Sequence, residues 1–542
     1  MCEGMQKSER GVKLSKFIPM LGARAPLKSY QVKNVKRIKE VAEKFHKDVG
    51  TYECVKHVLK SGVVAKDVLV LETGHQPNFM PYAGVWRKAF LLDFLAKKIA
   101  EGGRACVAIF GFADYNLCTA KWIYQNRIPS ATKDGFETIG FKISGKDRWK
   151  RFDCISKPSE DDWASALERI TAVYKKCCDD ESIKNLEAVK ELLWRCYESA
   201  KSFSDVNAFF LSKVCNELWG LEVLFFRYSD VQRAGIFVEE WEKIISQLSK
   251  FNELHDEIVR EKGLEDIGYC GRNSVPFWYH CSCGGKVPLF MDSPPLAYGE
   301  CPVCGEMYEL NLESLKELFG SMSPNAITRN LVFSEGLGVA LFISGAGGGL
   351  RYGLVSDGIS KELGFNVPVT LMWRGRDYYL GAAHRAALNG LMKAFGLNPD
   401  DFLDEDTLIL KAARKREMLA TEIRSLEDEL RVEGGGKSAV VKKLKRCRGQ
   451  YISTDTQTKV AGKVFSLIPS ILDVFVSVGV ESVPKRWEAA LSESIEVSAD
   501  EFYSIEKDVV YGDDSVPLIY RSVQRLYERN KEIDPLGILK PE

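Results

Sequence analysis

The spacing of apolar and polar positions changes along the chain and predicts its elements. Residues 32–66 carry apolar side chains at helical spacing, and the run at 68–72 predicts a short buried strand. A helix is predicted over residues 85–100 and a second strand over 105–112. Glycine, proline and polar residues follow both strands, which is where α/β folds build ligand sites. We therefore expect one pocket at the ends of these two strands.

The rest of the chain divides by composition. Residues 161–264 alternate apolar and charged positions at helical spacing, with little glycine or proline. Beyond residue 399 the chain is helical and charged, and Leu419, Ile423, Leu426 and Leu430 form a short coiled-coil seam before a glycine break at 434–436. The predicted division is an N-terminal helical segment (1–66), the first part of an α/β core (67–150), an inserted helical subdomain (151–267), a zinc ribbon (268–312), the second part of the core (313–400) and a C-terminal helical domain with an antiparallel coiled-coil hairpin (401–542).

Composition narrows the class of protein. The 542 residues are 45% hydrophobic and 28% charged, and the 75 basic residues balance the 75 acidic ones, so there is no overall basic excess for nucleic acid. No apolar run reaches the roughly 20 residues of a membrane span, and the N-terminus lacks the apolar region of a secretory signal. The 15 cysteines form an odd, scattered set, as in a reducing compartment. These features predict a cytoplasmic protein of several domains with no membrane partner.

Four cysteines are clustered and predict a metal site. Cys281 and Cys283 form a CxC pair, Cys301 and Cys304 form a CxxC pair, and glycines follow both pairs directly. Four thiolates on tight turns favour tetrahedral Zn²⁺, and a complete sulfur shell leaves no position for water. We therefore expect a structural zinc ion, with His280 or Cys270 as substitutes for one ligand.

The loop after the first strand has the chemistry of a binding site. His75 has a pKa near neutrality in its ordinary state, so it can exchange a proton or bind a phosphate. Glycines 74 and 84 allow backbone N–H groups to approach a ligand, and the following helix offers its positive end to an anion. Lys88, Arg351 and Arg374 can neutralise phosphate or carboxylate, and Asp114 can orient an amine or a hydroxyl. His75, Asp114 and Lys88 are the predicted catalytic residues.

Each assignment has a purely structural alternative. His75 also fits a hydrogen-bonded residue at a strand end, and Asp114 also fits a helix N-cap. Lys88 and Arg374 also fit solvated surface charges, and Asn325 after Ser-Pro also fits a turn. The glycine run at 345–349 also fits a bend without a ligand.

The blocks around these residues resemble one known family. The stretch at 73–88, TGHQPNFMPYAGVWRK, resembles the first motif of the bacillithiol-biosynthesis cysteine-adding enzymes (BshC). The stretches 110–116, 323–329 and 344–352 resemble that family's acidic strand end, its SPN block and its glycine-rich block, in the same order. The sequence departs from the family at His75, which replaces a glutamine, at 114–116, and in the cysteine-rich insertion.

This resemblance implies a fold and an activity. The fold would be an α/β, class I aminoacyl-tRNA-synthetase-like Rossmann core with inserted segments and a C-terminal coiled-coil domain. The activity would be a ligase that joins an amino acid, cysteine being one candidate, to a small amine, carboxyl or sugar-derived acceptor, with ATP or a related nucleotide as the activating substrate. The residues expected to bind substrate or nucleotide are Thr73, Gly74, Gln76, Asn78, Tyr82, Gly84, Asn116, Asn325, Arg329, Gly345, Gly347, Arg351, Tyr352 and Arg374.

A shorter resemblance and two other functions stay open. Residues 74–84 are similar to the opening HQPN motif of the WbqC-like family, which is associated with polysaccharide biosynthesis and suggests a sugar acceptor. The basic excess over residues 411–450 suggests RNA binding by a synthetase-derived protein, a weaker candidate because acids are interspersed. The apolar seam suggests a homodimer formed through the C-terminal helices, either in the ligase or in a non-catalytic assembly factor.

Overall fold

A computed structural model describes residues 11–63, 68–345, 348–395, 405–432, 438–492, 495–499 and 501–511. The strands are β1 Val12–Lys13, β2 Val68–His75, β3 Ala105–Phe112, β4 Gln125–Pro129, β5 Phe136–Gly140, β6 Leu224–Arg227, β7 Ser274–His280, β8 Lys286–Ser293, β9 Leu296–Glu300, β10 Met307–Asn311, β11 Met322–Pro324, β12 Val339–Ser344, β13 Val369–Trp373, β14 Asp377–Tyr378, β15 Glu496–Ala499, β16 Tyr503–Ile505 and β17 Val509–Val510. The helices are α1 Leu14–Gly22, α2 Ser29–Val49, α3 Tyr52–Lys60, α4 Ala83–Glu101, α5 Glu160–Tyr174, α6 Asp180–Ser199, α7 Phe203–Lys213, α8 Tyr228–Arg233, α9 Val238–Ile245, α10 Leu248–Glu261, α11 Leu315–Leu318, α12 Ala326–Leu337, α13 Gly348–Leu363, α14 Ala382–Phe395, α15 Glu405–Val432, α16 Ser438–Ser466, α17 Ile471–Val478 and α18 Ser482–Ala490.

An eight-stranded sheet organises the core. Its strand order is β1-β15-β16-β13-β12-β2-β3-β6, and every neighbouring pair from β16 to β6 is parallel. Counted in chain order, these six parallel strands lie as 6-5-4-1-2-3, which is the order of the doubly wound dinucleotide-binding fold. The order reverses between β2 and β12. In such sheets the crevice at that switch point, outside the carboxyl ends of the strands, is where ligands bind.

Apolar side chains cover the sheet on both faces, as a buried parallel sheet requires. On one face Leu69 and Leu71 of β2 pack in a core with α4. On the other face Val68 and Val70 share a core with α2, α12 and α13. The continuous apolar run at the start of β2 reflects this double burial, because successive side chains of a strand point to opposite faces.

The segment with the paired cysteines forms a second, five-stranded sheet in the order β10-β9-β8-β7-β11. We refer to residues 274–311 as the cysteine module. Its inward side chains, including Val275, Phe277 and Val287, belong to the same apolar core as α12 and the face of β2 that carries Val70. The module is therefore continuous with the main core, and its position relative to the β2 end is set by packing.

Two segments differ from the sequence predictions. Residues 151–267, expected as an inserted helical subdomain, contribute β6 to the main sheet, parallel to β3. Residues 401–542, expected to be helical, contribute β15 and β16, and β16 pairs with β13. These strands have only three or four residues, so their apolar runs were too short to stand out against helical surroundings.

The C-terminal helices α15 and α16 pack against each other. The buried residues of their contact are Leu419, Leu426, Val440, Leu444 and Cys447, with Ile423 and Leu430 half-buried beside them. The seam expected to need a partner is thus covered from within the chain. The glycine break at 434–436 lies outside the described residues.

None of the helices in the described part of the chain combines the length and apolar character of a membrane span.

Candidate functional site

The loop at the carboxyl end of β2 is fixed by backbone contacts. Thr73 Oγ1 donates to the carbonyl oxygen of Ile343 at 2.6 Å, which ties β2 to β12 at the switch point. Asn78 donates its backbone N–H to the carbonyl of Gln76 at 2.8 Å, and its side-chain Oδ1 is buried without a partner among the described residues. Tyr82 is exposed and precedes α4, whose first turn contains Gly84.

His75 is held as a neutral hydrogen-bond acceptor. Its Nδ1 lies 2.7 Å from the carbonyl oxygen of Gln76, so Nδ1 carries the proton and Nε2 carries a lone pair. Burial lowers the pKa of His75 to about 3, and the positive charge of Lys88 adds to the shift. The expectation that His75 exchanges a proton at neutral pH is therefore not met, because the ring stays uncharged there.

Gly74 makes room for a side chain of this protein. A Cβ placed on Gly74 or on Gly111, its partner on β3, would overlap Tyr228. Tyr228 therefore packs flat over the ends of both strands. The glycine that was expected to admit a ligand instead admits this aromatic ring.

Around Tyr228 lies a group of buried and half-buried charged and polar side chains that we call the strand-end cluster: Glu72, His75, Lys88, Tyr115, Tyr228 and Arg329. Lys88 comes from the second turn of α4 and donates to the carbonyl oxygen of Gly74 at 2.6 Å. The Arg329 guanidinium lies 4.9 Å from the centre of the Tyr228 ring. In the part of the chain that the structure describes, neither Lys88 nor Arg329 forms an ion pair with a carboxylate.

Burial shifts the protonation of this cluster. It raises the pKa of Glu72 from 4.5 to about 8, even though Arg329 opposes the shift. It lowers the pKa of Lys88 from 10.5 to about 7, and the charge of Arg329 adds to the effect. Near pH 7 Glu72 is therefore mostly protonated, and Arg329 retains a half-buried positive charge without an ionised partner among the described residues.

Asp114 and Asn116 lie just beyond β3 and hold neighbouring loops. Asp114 Oδ1 accepts the backbone N–H of Ser229 at 3.0 Å, and Oδ2 accepts the Ser229 hydroxyl. Burial, followed by the charge of Asp153, raises the pKa of Asp114 to about 7. The carbonyl of Asn116 accepts the N–H of Phe152 at 2.9 Å. Asp114 thus caps the start of α8 rather than a helix in its own segment.

Asn325 positions Arg329. The Asn325 side chain accepts the backbone N–H of Thr328 at 2.8 Å, so it is the N-cap of α12. One turn into that helix, Arg329 points into the strand-end cluster. Asn325 therefore has a structural role, but as a helix N-cap and not as the turn residue that was the alternative to ligand binding.

The remaining predicted residues follow β12 and β13. Gly345 directly follows β12 at the switch point, and Gly347 lies outside the described residues. Arg351 pairs with Asp266 at the surface, and Tyr352 is half-buried against the α12 side of the core. Arg374 is partly exposed, with Nη1 3.8 Å from Glu506 Oε1. Of the predicted set, the structure brings His75, Lys88 and Arg329 together.

Sequence reasoning missed several members of the site. Glu72 is the last residue of the predicted strand 68–72, and Tyr115 lies in the stretch 110–116. A charged residue at the end of an otherwise apolar buried strand was a usable signal for Glu72. Tyr228 follows β6, which was not predicted. Lys286, which approaches from the cysteine module, carried no signal in its own segment.

The four cysteines of the module converge. The ligand atoms of Cys281, Cys283, Cys301 and Cys304 all lie within 4.8 Å of one another. Two of their sulfur pairs, 281–304 and 283–301, are 3.5 Å apart, close to the roughly 3.8 Å edge of a tetrahedron with 2.3 Å Zn–S bonds. A Cβ on Gly285 would lie 2.7 Å from the Cys301 sulfur, so only glycine fits beside it. These residues fit a four-coordinate metal ion.

With this geometry, the molecule is an α/β protein with a buried charged site at the carboxyl edge of a doubly wound sheet. No family model and no curated protein matches the chain, so neither the BshC nor the WbqC-like resemblance gains support. Thermus thermophilus arginyl-tRNA synthetase is 11% identical over 91% of this chain and 85% of its own, with a TM-score of 0.24. A putative arginyl-tRNA synthetase from Campylobacter jejuni is 11% identical over 90% and 95%, with a TM-score of 0.23. Such low TM-scores carry no argument about fold or function.

Proposed function

We propose that this protein is a carbon–nitrogen ligase that joins an amino acid to a small acceptor at the carboxyl edge of the sheet. The observation that carries the proposal is the strand-end cluster, in which the buried Lys88 and the half-buried Arg329 lie beside the switch point without an ion-pair partner among the described residues. Buried cations without a counterion are costly, and an anionic substrate group would neutralise them. Carboxylates and phosphates are the anionic groups that the substrates of an amide-forming ligase carry.

The residues have distinct parts in this proposal. Arg329 holds the carboxylate or phosphate, since a guanidinium matches either anion with two parallel hydrogen bonds. A carboxylate oxygen attacks the γ-phosphorus of a nucleotide such as ATP, and ADP leaves as the bond between the β- and γ-phosphates breaks. The acceptor amine then attacks the acyl carbon, so that the C–N bond forms as the C–O bond to phosphate breaks, and inorganic phosphate leaves. Lys88, with its pKa near 7, is suited to take the proton that the amine loses. His75 Nε2 accepts a hydrogen bond from the amine and orients it.

A thermal-shift screen tests the proposal. The wild type is heated with ATP, ADP, the amino acids and sugar phosphates, because a ligand at 100 times its Kd adds about 2.7 kcal/mol to the free energy of unfolding. Lys88→Met should abolish the shift, whereas Lys98→Met, which removes an exposed lysine of the same helix paired with Glu101, should keep it. Mass spectrometry of mixed substrates should then show an amide product. No shift with any compound, together with no product, would refute the ligase proposal.

We also propose that the four cysteines bind one structural Zn²⁺. Four thiolates complete the shell, so the ion contributes folding energy and no catalytic water. Metal analysis of protein purified without chelator should give one zinc per chain, and Cys301→Ser should reduce it to near zero. Full zinc occupancy in Cys301→Ser would contradict the assignment.

RNA binding by the C-terminal hairpin has weaker support. Two basic residues of α16, Lys443 and Arg448, pair with Glu422 and Glu427 of α15. These pairs between the two helices reduce the positive charge that the surface offers to phosphates. Homodimerisation also remains a prediction, and the covered apolar seam supplies no argument for it.

A further inference from the structure

One lysine of the cysteine module lies at the strand-end cluster. Lys286 is the first residue of β8 and is only 4% exposed. Its Nζ lies 5.0 Å from the centre of the Tyr115 ring and 5.2 Å from that of Trp278. No described carboxylate lies within ion-pair distance of its Nζ; the charge of Arg329 opposes its protonation, whereas the more distant charges of Asp153 and Asp114 favour it.

Tyr115 separates the two cations and carries an unsatisfied group. Its side chain is fully buried, and its hydroxyl has no hydrogen-bond partner of normal geometry among the described residues. Arg329 lies beside that hydroxyl, on the strand side, and Lys286 lies against the ring. A buried hydroxyl without a partner costs free energy, so this position favours an added acceptor.

The turn that carries the cysteines sets the position of Lys286. The carbonyl of Gly284 accepts the backbone N–H of Arg151 at 2.9 Å, and Lys150 pairs with Gly285 in an isolated bridge. On the adjacent strand, His280 Nε2 lies 2.9 Å from the hydroxyl of Ser323, two residues before the cap of α12. The module is therefore anchored on both sides of the cluster.

We propose that Lys286, Tyr115 and Arg329 form a subsite for one oxyanion group, a phosphate or a carboxylate, so that the cysteine module supplies part of the substrate-binding site. An ammonium over the Tyr115 ring, the phenol O–H and a guanidinium beside it are donors of three kinds around one side chain, which suits a group with several acceptor oxygens. This inference rests on the proposed function for the identity of the substrate.

Titration calorimetry of the full-length protein tests the subsite. The probes are inorganic pyrophosphate and ATP for the phosphate source, and acetate and free amino acids for the carboxylate source. Lys286→Met should weaken binding of one of these two probe classes about tenfold or more, because a hydrogen bond to a charged group is lost. Lys316→Met, which removes an exposed lysine just after the module, should bind like the wild type.

The outcomes separate the two proposals. If the wild type binds a probe and Lys286→Met binds it equally well, the subsite is refuted while the ligase proposal stands. If the wild type binds none of the probes, both are refuted. Should Lys286→Met fail to fold, Tyr115→Phe keeps the ring and removes only the unsatisfied hydroxyl; it should weaken the same probe class several-fold, and unchanged affinity would overturn the subsite.

Discussion

Two buried groups of charged side chains lie at the same edge of the sheet and are built in opposite ways. At the end of β6, Arg227 donates to Asp205 at 2.7 Å, to Asp48 at 2.9 Å and to Asp230 at 3.2 Å. We call these four residues the Arg227 group. In the strand-end cluster, by contrast, Lys88 and Arg329 have no carboxylate within ion-pair distance among the described residues.

The difference shows which buried charges serve the fold. Lys44 and Arg233 also pair with Asp230, so three cations balance the three carboxylates around Arg227 and this group needs nothing from solution. The strand-end cluster has excess positive charge and the unpartnered hydroxyl of Tyr115 beside it. Buried polar groups left unsatisfied lower stability, and they persist where a ligand completes them. The contrast is the physical basis for proposing the ligand site at Arg329 rather than at Arg227.

Breaking the Arg227 group should have the largest effect on stability. Arg227→Met removes the cation shared by the buried Asp205 and Asp230 and the more exposed Asp48, and loss of one partner of a buried network costs about 3–5 kcal/mol. Urea unfolding measures this loss. Arg233→Met, which removes an exposed partner of Asp230, should cost under about 1 kcal/mol. Equal, small costs for both variants would contradict the structural role of Arg227.

The strand-end cluster should instead make stability depend on pH. The pKa of Lys88 is lowered from 10.5 to about 7 in the folded state, so the unfolded chain binds more protons between these values. The free energy of unfolding therefore rises with pH between about 7 and 10.5, and below about pH 7 the full destabilisation by the charged Lys88 is present. Lys88→Met should remove this rise, whose slope is on the order of 1 kcal/mol per pH unit. Identical pH profiles of unfolding free energy in variant and wild type would show that the charge of Lys88 does not destabilise the folded state.

Arg329 should matter more for ligand than for fold. Arg329→Gln should weaken ligand affinity roughly tenfold to a hundredfold, because a hydrogen bond to a charged group contributes about 1.5–3 kcal/mol to binding. Its free energy of unfolding should not fall, because Arg329 forms no ion pair among the described residues that the substitution would break. Arg351→Gln, whose guanidinium pairs with Asp266 at the surface, serves as the matched control in titration calorimetry. A large loss of stability in Arg329→Gln without loss of affinity would show that Arg329, like Arg227, serves the fold and not a ligand.

The cap of α12 should have the smallest effect. Asn325→Ala removes the hydrogen bond to the N–H of Thr328 and should cost about 1 kcal/mol of stability. Asn325→Asp keeps the cap and should restore the wild-type value in urea unfolding. Ligand affinity should stay within twofold of wild type in both variants. A tenfold affinity loss in the aspartate variant would mean that Asn325 contacts the ligand itself.

Local sequence patterns were sufficient for much of the fold. The strand over Ala105–Phe112 and the helix before it lie where apolar spacing placed them, although β2 extends to His75 and α4 begins at Ala83. The four cysteines were identifiable because CxC and CxxC spacing constrains short turns. His75 and Lys88 were identifiable because ligand loops follow the carboxyl ends of strands in α/β folds.

The composition of the site was decided by tertiary structure. Lys286, Tyr115 and Arg329 come from three distant segments, and nothing in the periodicity of any one segment indicates that they meet. β6 and β16 were also invisible in sequence, because strands of three or four residues take their stability from the neighbouring strands and the shared core. Local spacing thus determined which elements form and which loop carries polar chemistry. Packing between distant elements determined which charges are paired, and so which of them remain available to a substrate.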